Sequence, residues 1–224
     1  WAALMGVYHA QKTGEGDVID VSQYESCLRV QGYGPLMYTT TGEQLKRTGN
    51  KEATYAGIDV FECKDGNYCV VQVSGRPAAK AIAALLGLDD EEHFIEGRPT
   101  LNGTPQGDRL DGAIKAFCLE RTPDEVETQL KAIGVACAPI NNYEMLMSNP
   151  HVIARNDFVE WYDEASEQTL KGVAVLPPVK NNPGQIWRGA PKLGQDNEDI
   201  LEELGYSNEE IEAMYAEGKI GKAE

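Results

Sequence analysis

Residues 55–75 read YAGIDVFECKDGNYCVVQVSG, and this stretch decides how the rest of the chain is read. Two runs rich in β-branched, aromatic and Cys residues flank Asp65-Gly66, a pair that favours a tight hairpin turn because its residues tolerate positive φ. A two-residue turn with both central residues at positive φ sets Lys64 opposite Asn67, Cys63 opposite Tyr68 and Glu62 opposite Cys69. Phe61 and Cys63 then share a face, as do Val71 and Val73, and a helix beginning near Pro77 covers one side. The second strand runs out at Ser74-Gly75, where small residues let a ligand approach the backbone. That strand end is the first candidate site.

Working outward, the chain opens on WAALMGVYHAQ, which keeps helical spacing at Leu4, Met5 and Tyr8 but has no capping residue, so the sequence is expected to begin inside a helix of a longer protein. Asp17 to Val21 alternates like a short strand. Ser22 and Glu25 form a capping-box pattern that starts a helix running to about Val30. Residues 32–51 are rich in Gly and Thr and read as a linker.

Downstream of the hairpin, Ala78 to Leu86 is helical and Gly87 stops it. Residues 89–108 are polar and rich in Gly and Pro, and read as irregular. Leu110, Ala113, Ile114 and Phe117 give an amphipathic stripe, and Thr122-Pro-Asp-Glu125 caps a second helix that Gly134 ends. Val135 to Ala138 reads as a buried strand, and 142–148 as a short helix before Asn149-Pro150. Strands are expected between Phe158 and Val179. An irregular connection follows over 181–194, then two helices, the last opened by Ser207 and Glu210. The fold class is α/β, with a small α+β domain over 51–157 built on the hairpin, flanked by 1–50 and 158–224.

Composition narrows the function. Thirty-six acidic against twenty basic residues give a net charge of −16, which disfavours nonspecific nucleic-acid binding and attraction to anionic membranes. The apolar stretch around Ala78 to Leu88 is too short to span a bilayer. Five cysteines without CxxC or Cys/His clustering point to free thiols in a reducing, cytoplasmic compartment and to no metal site. There is no phosphate-binding glycine loop, no GxSxG and no paired-histidine metal motif. His9, His93 and His151 are isolated.

Five segments carry a resemblance: KTGEGDVIDVSQYE at 12–25, YAGIDVFECKDG at 55–66, ACAPI at 136–140, SNPHVIAR at 148–155 and NNPGQIWRGAPKLGQD at 181–196. The terminal ELGYSNEEIEAMYAEG fits the same pattern. The chain resembles the C-terminal portion of a family III CoA-transferase, and NNPGQIWRG points to the L-carnitine CoA-transferase branch. The resemblance implies linker and C-terminal parts of a Rossmann-like large domain beside the small one, in an interlocked homodimer. It further implies CoA transfer between a betaine-type acyl-CoA, crotonobetainyl-CoA or γ-butyrobetainyl-CoA, and L-carnitine, through an aspartyl-CoA thioester. The CoA thioester is then a substrate, with no permanently bound cofactor.

The nucleophilic Asp is expected upstream of Trp1, so no catalytic residue is assigned within the chain, and the fragment alone is expected to be inactive. Substrate- or CoA-binding residues carried over by position are Ser74 and Gly75, which match a closing loop that is glycine-rich in formyl-CoA transferases, and Gln23, which matches an acyl-CoA pocket position held by Met there. A trimethylammonium group favours aromatic faces, for which Tyr33, Tyr38 and above all Tyr55 are candidates. Two other readings are an α-methylacyl-CoA racemase, which uses acid–base residues, and a non-catalytic dimerisation or acyl-CoA-binding module. Arg76 stands where the racemase pattern has a Glu, which counts against racemisation.

Overall fold

A computed structural model describes residues 1–222. The chain forms two compact units, Trp1–Ile140 and the residues from Asn141 onward.

The first unit begins with three helices, α1 (Ala2–Thr13), α2 (Gln23–Arg29) and α3 (Gly34–Thr41), none of which buries a residue. Their ends are set locally. Gly14 and Gly42 adopt the left-handed conformation that closes α1 and α3. Ser22 caps α2 by accepting a hydrogen bond from the Glu25 N–H. Residues 17–21 carry no strand, in contrast to their alternating pattern, because no neighbouring strand pairs with them. Residues 34–41 are helical where composition reads as linker. The hydroxyls of Thr40 and Thr41 bond back to the carbonyls of Leu36 and Met37 at 2.8 Å, so these threonines satisfy themselves within a helix.

The hairpin follows as β1 (Ile58–Glu62) and β2 (Tyr68–Gln72), with β3 (Ala136–Pro139) antiparallel on the far side of β2. Its register corrects the two-residue turn. Glu62 pairs with Tyr68 and Phe61 with Cys69, and the Cys63 N–H bonds the Asn67 carbonyl at 2.7 Å. The loop is therefore Lys64-Asp65-Gly66, a turn closed by the Gly66 N–H on the Cys63 carbonyl at 3.0 Å with only Gly66 at positive φ, 79°. The one-residue difference matters because it reverses which side chains face each other. Phe61, Cys63, Cys69 and Val71 all point into the core, whereas the expected register would set Cys63 against exposed Tyr68.

Helices cover the buried face of this sheet: α4 (Gly75–Leu85), α5 (Glu92–Glu96), α6 (Pro105–Leu119) and α7 (Pro123–Ala132). Ile82 of α4, Ile114 of α6 and Val126 and Leu130 of α7 join the sheet residues in one core. Burying each such side chain stabilises the fold by about 1.5–3 kcal/mol. Thr122 and Glu125 form a reciprocal capping box at the start of α7. Residues 89–108 are more ordered than their composition suggests, since they hold α5 and the Thr104 cap of α6.

The second unit starts with α8 (Tyr143–Ser148) and α9 (Pro150–Arg155), joined by Asn149, which closes one and caps the other through the His151 N–H at 2.9 Å. An antiparallel pair, β4 (Phe158–Asp163) and β5 (Gln168–Val173), precedes the irregular 181–194 segment. The buried Asp163 accepts from the N–H and hydroxyl of Ser166, at 3.0 and 2.6 Å, and from the Ala190 N–H at 2.9 Å. It thereby ties that segment to the turn between β4 and β5. The unit ends with α10 (Asn197–Glu203) and α11 (Asn208–Ala216), the latter opened by the Ser207/Glu210 capping box.

Among the described residues no helix is long and apolar enough to cross a membrane.

Candidate functional site

The end of β2 and the first turn of α4 meet two irregular segments, 52–57 and 97–102, and the four enclose a cavity of about 380 Å³. The two segments are joined edge to edge. The Ala56 N–H bonds the Thr100 carbonyl and the Asn102 N–H bonds the Thr54 carbonyl, each at 2.9 Å, while the Asn102 side chain reaches the Glu52 carbonyl at 2.7 Å. Glu52 fixes the turn that presents Tyr55, its carboxylate accepting from the backbone N–H groups of Thr54, at 2.6 Å, and Tyr55. Thr100, itself buried, is held by His93 Nε2 at 2.9 Å from its hydroxyl.

Gly97 sets the opposite approach. It takes φ of 65° at the end of α5, and a Cβ there would lie 2.7 Å from the Arg76 carbonyl and 3.0 Å from Arg76 Cγ. Only glycine lets the turn carrying Arg98 lie this close to the start of α4. Gly75 also needs its missing side chain, with φ of 79° where the chain leaves β2 for the helix. Ser74 does not cap α4; its hydroxyl accepts from Gln72 Nε2 at 3.2 Å.

Most of the wall is apolar, from Ala56, Ile58, Val73, Ala79, Pro99 and Leu110. Its polar side chains are Tyr55, Ser74, Thr100, Arg76 and Arg98, and no carboxylate lines it. Arg98 is committed to Glu96 at 2.5 Å and to Glu92 at 3.6 Å. The hydrogen bond from Arg98, more than its charge, holds the Glu96 carboxyl below the usual range, with Arg76 and Lys80 adding smaller attractions.

Tyr55, Ser74 and Gly75 are thus brought to one cavity from positions almost twenty residues apart in sequence. Gln23 is not: it is exposed on the first turn of α2 and contributes nothing to this lining. Tyr33 reaches instead to the Thr54 hydroxyl at 3.1 Å, bracing the Glu52 turn, and Tyr38 is exposed. Sequence reasoning did not find Arg98 and Thr100. The available signal was the Gly97 helix stop, which brings the following residues back toward α4.

The cavity can hold an apolar body and place an anionic group near a guanidinium, and its lining includes no carboxylate, histidine or cysteine. The four buried thiols of this unit lie outside it. Burial pushes Cys118 up to about 12 and Cys137 to about 11, and raises Cys63 and Cys69, so all four are protonated at neutral pH.

Comparison with known proteins places these features in a family. Residues 1–197 match the model of CoA-transferase family III. Bile acid CoA-transferase BaiK of Clostridium scindens is 36% identical over 225 residues, covering 97% of this chain and 51% of that protein. A CAIB/BAIF family protein from Brucella suis superposes with a TM-score of 0.66 at 21% identity, over 91% of this chain and 52% of its own. Rv3272 from M. tuberculosis gives a TM-score of 0.62 at 17% identity, over 88% and 51%. These structures share the mixed α/β fold, and the chain spans about half the length of the relatives it matches. The chain belongs to CoA-transferase family III.

Proposed function

We propose that this chain is part of an enzyme that moves CoA between carboxylates, and that the cavity under Ser74-Gly75 receives the acyl or acceptor portion of the substrate. The observation that carries the reading is the family match over residues 1–197; the cavity lined by Ser74 and Gly75 supports a binding role for that strand end. In the parent enzyme an aspartate outside these 224 residues attacks the acyl-CoA carbonyl, giving a mixed anhydride and free CoA thiolate. The thiolate then attacks the aspartyl carbonyl, releasing the donor carboxylate and leaving an aspartyl-CoA thioester. Attack by the acceptor carboxylate and return of the thiolate complete the exchange. With that aspartate elsewhere, the 224-residue polypeptide alone is expected to transfer no CoA.

For the substrate pair, NNPGQIWRG supports crotonobetainyl-CoA or γ-butyrobetainyl-CoA as donor and L-carnitine as acceptor. A second reading, an apolar carboxylic acid as acceptor, is favoured by the wall of the cavity. Tyr55 is its sole aromatic residue and no carboxylate is present to hold a trimethylammonium group. The bile acid activity in the name of a relative at 36% identity agrees with that second reading. An interlocked homodimer is proposed for the parent on the family resemblance.

The experiment is to incubate the full-length parent with γ-butyrobetainyl-CoA or cholyl-CoA and, in turn, L-carnitine or cholate, following new acyl-CoA species by mass spectrometry. Transfer to one acceptor identifies the branch. Deuterium uptake at the α-carbon of a 2-methylacyl-CoA without CoA exchange would replace the reading with racemisation.

A further inference from the structure

Although the chain carries 36 acidic residues against 20 basic ones, none of the acids lines the cavity, while two arginines do. They differ in what they already hold. Arg98 is engaged by Glu96 and Glu92. Arg76 makes no ion pair among the described residues, and the carboxylate that most nearly serves it, Glu96, is taken by the hydrogen bond from Arg98. Gly97 allows the 97–98 turn to lie against Arg76, with the Arg76 Cγ at 3.0 Å from where a side chain would begin, so the stem is confined on one side. Gly75 and Ser74, which line the same cavity, add no charge and little bulk. The interior beyond is apolar.

We propose that Arg76 is the specificity-determining residue of this cavity and pairs with the carboxylate of an apolar-bodied free acid seated against Ile58, Val73 and Leu110. This inference rests on the CoA-transferase reading and adds a directional element to it. A carboxylate at Arg76 carries a full charge and accepts a charge-assisted hydrogen bond. Once the same carbon is joined to the sulfur of CoA, the group is a neutral thioester and that pairing is lost. Arg76 therefore holds the free acid more tightly than its thioester, retaining the acceptor before transfer and favouring departure of the acyl-CoA after it.

The test uses the 224-residue chain with cyclohexylacetate and its neutral isostere cyclohexylacetamide, titrated by protein-observed NMR. The acid is expected to bind about tenfold more tightly than the amide, the scale of one partly exposed charged hydrogen bond. Arg76→Met should bring that ratio to about one, by weakening the acid far more than the amide, and Arg76→Lys should retain part of it. Equal affinities in the unaltered chain, a preference that survives Arg76→Met, or no binding of either probe would each overturn the proposal. CoA transfer by the full-length parent is measured separately. A parent that transfers no CoA while the acid preference depends on Arg76 would remove the transferase reading and leave a carboxylate site; active transfer without the preference would remove this inference alone.

Discussion

Asp111 of α6 holds Gly57 at the start of β1: its Oδ1 accepts the Gly57 N–H at 2.7 Å, while Lys51 Nζ lies 2.5 Å from its Oδ2. Gly57 has φ of 77°, and a Cβ there would meet Val73 Cγ2 at 2.9 Å, so only glycine fits at this point. Because Ala56 and Ile58 line the cavity, this clasp fixes one of its walls. Asp111→Ala leaves the Gly57 N–H without its acceptor and is expected to cost about 1–3 kcal/mol. Asp111→Asn keeps an acceptor and loses only a part-exposed ion pair, so it should cost less, about 1 kcal/mol or under. Urea denaturation of both variants checks the order; equal losses would assign the effect to the ion pair.

The hairpin loop makes a sharper demand on one residue than on its neighbour. Gly66 stands at φ of 79° with open space around it, so replacing it introduces strain without a clash. Gly66→Val is expected to lower stability by about 1–3 kcal/mol. Asp65, at negative φ, accepts from the N–H and side-chain amide of Asn67 at 3.1 and 3.0 Å, and Asp65→Ala should cost about 1 kcal/mol or less. A thermal melt that ranks Asp65→Ala as the more damaging would contradict the three-residue loop.

What could be read from the sequence follows the range of the interaction. Capping boxes at Thr122/Glu125 and Ser207/Glu210 depend on residues three apart, and both form as read. The hairpin was legible as a hairpin, but its register was not, because Asp-Gly serves both a two-residue turn and the last two positions of a three-residue loop. Helix α3 was hidden because its threonines look like linker composition until their back-bonds to Leu36 and Met37 are seen. At the cavity, Ser74 and Gly75 could be read from the strand end, and Tyr55 enters only as an aromatic candidate suggested by the family resemblance. Arg98 and Thr100 could not be read, since they reach the cavity through backbone bonds between segments with no motif of their own.

The cysteines give a chemical readout of burial. Cys27 is exposed and the other four are buried with raised pKa values. In the native chain at about pH 8, a thiol-disulfide reagent should label one of the five cysteines quickly and the remainder only on denaturation. Rapid labelling of more than one would mean that the core around Ile114 and Leu130 opens readily.

Asp163 makes the turn that follows β4 sensitive to pH. Hydrogen bonding by the Ser166 hydroxyl and then by backbone N–H groups holds its carboxyl below the ordinary range. A folded-state pKa below the unfolded one stabilises the fold above the unfolded value, and that stability is lost as pH falls through the folded value. Asp163→Asn should therefore melt at a lower temperature than the unaltered chain at neutral pH, with the gap closing as pH drops below the usual aspartate value of about 3.9. A gap that stays constant across the titration would show that the cost is one of shape, consistent with Gly189 packing directly on Asp163.

The three-stranded sheet has two outer edges, and each carries a feature that discourages pairing with another chain. Along β1 the outward Val60 N–H is taken by the Asp59 carboxylate at 2.7 Å and the Ile58 carbonyl by the Glu52 N–H at 2.9 Å. Along β3, Pro139 has no N–H to offer. A strand approaching β1 finds the Val60 donor and the Ile58 acceptor already taken, one of them guarded by a negative charge. These features weaken both edges of the cavity-building sheet as templates for a further strand.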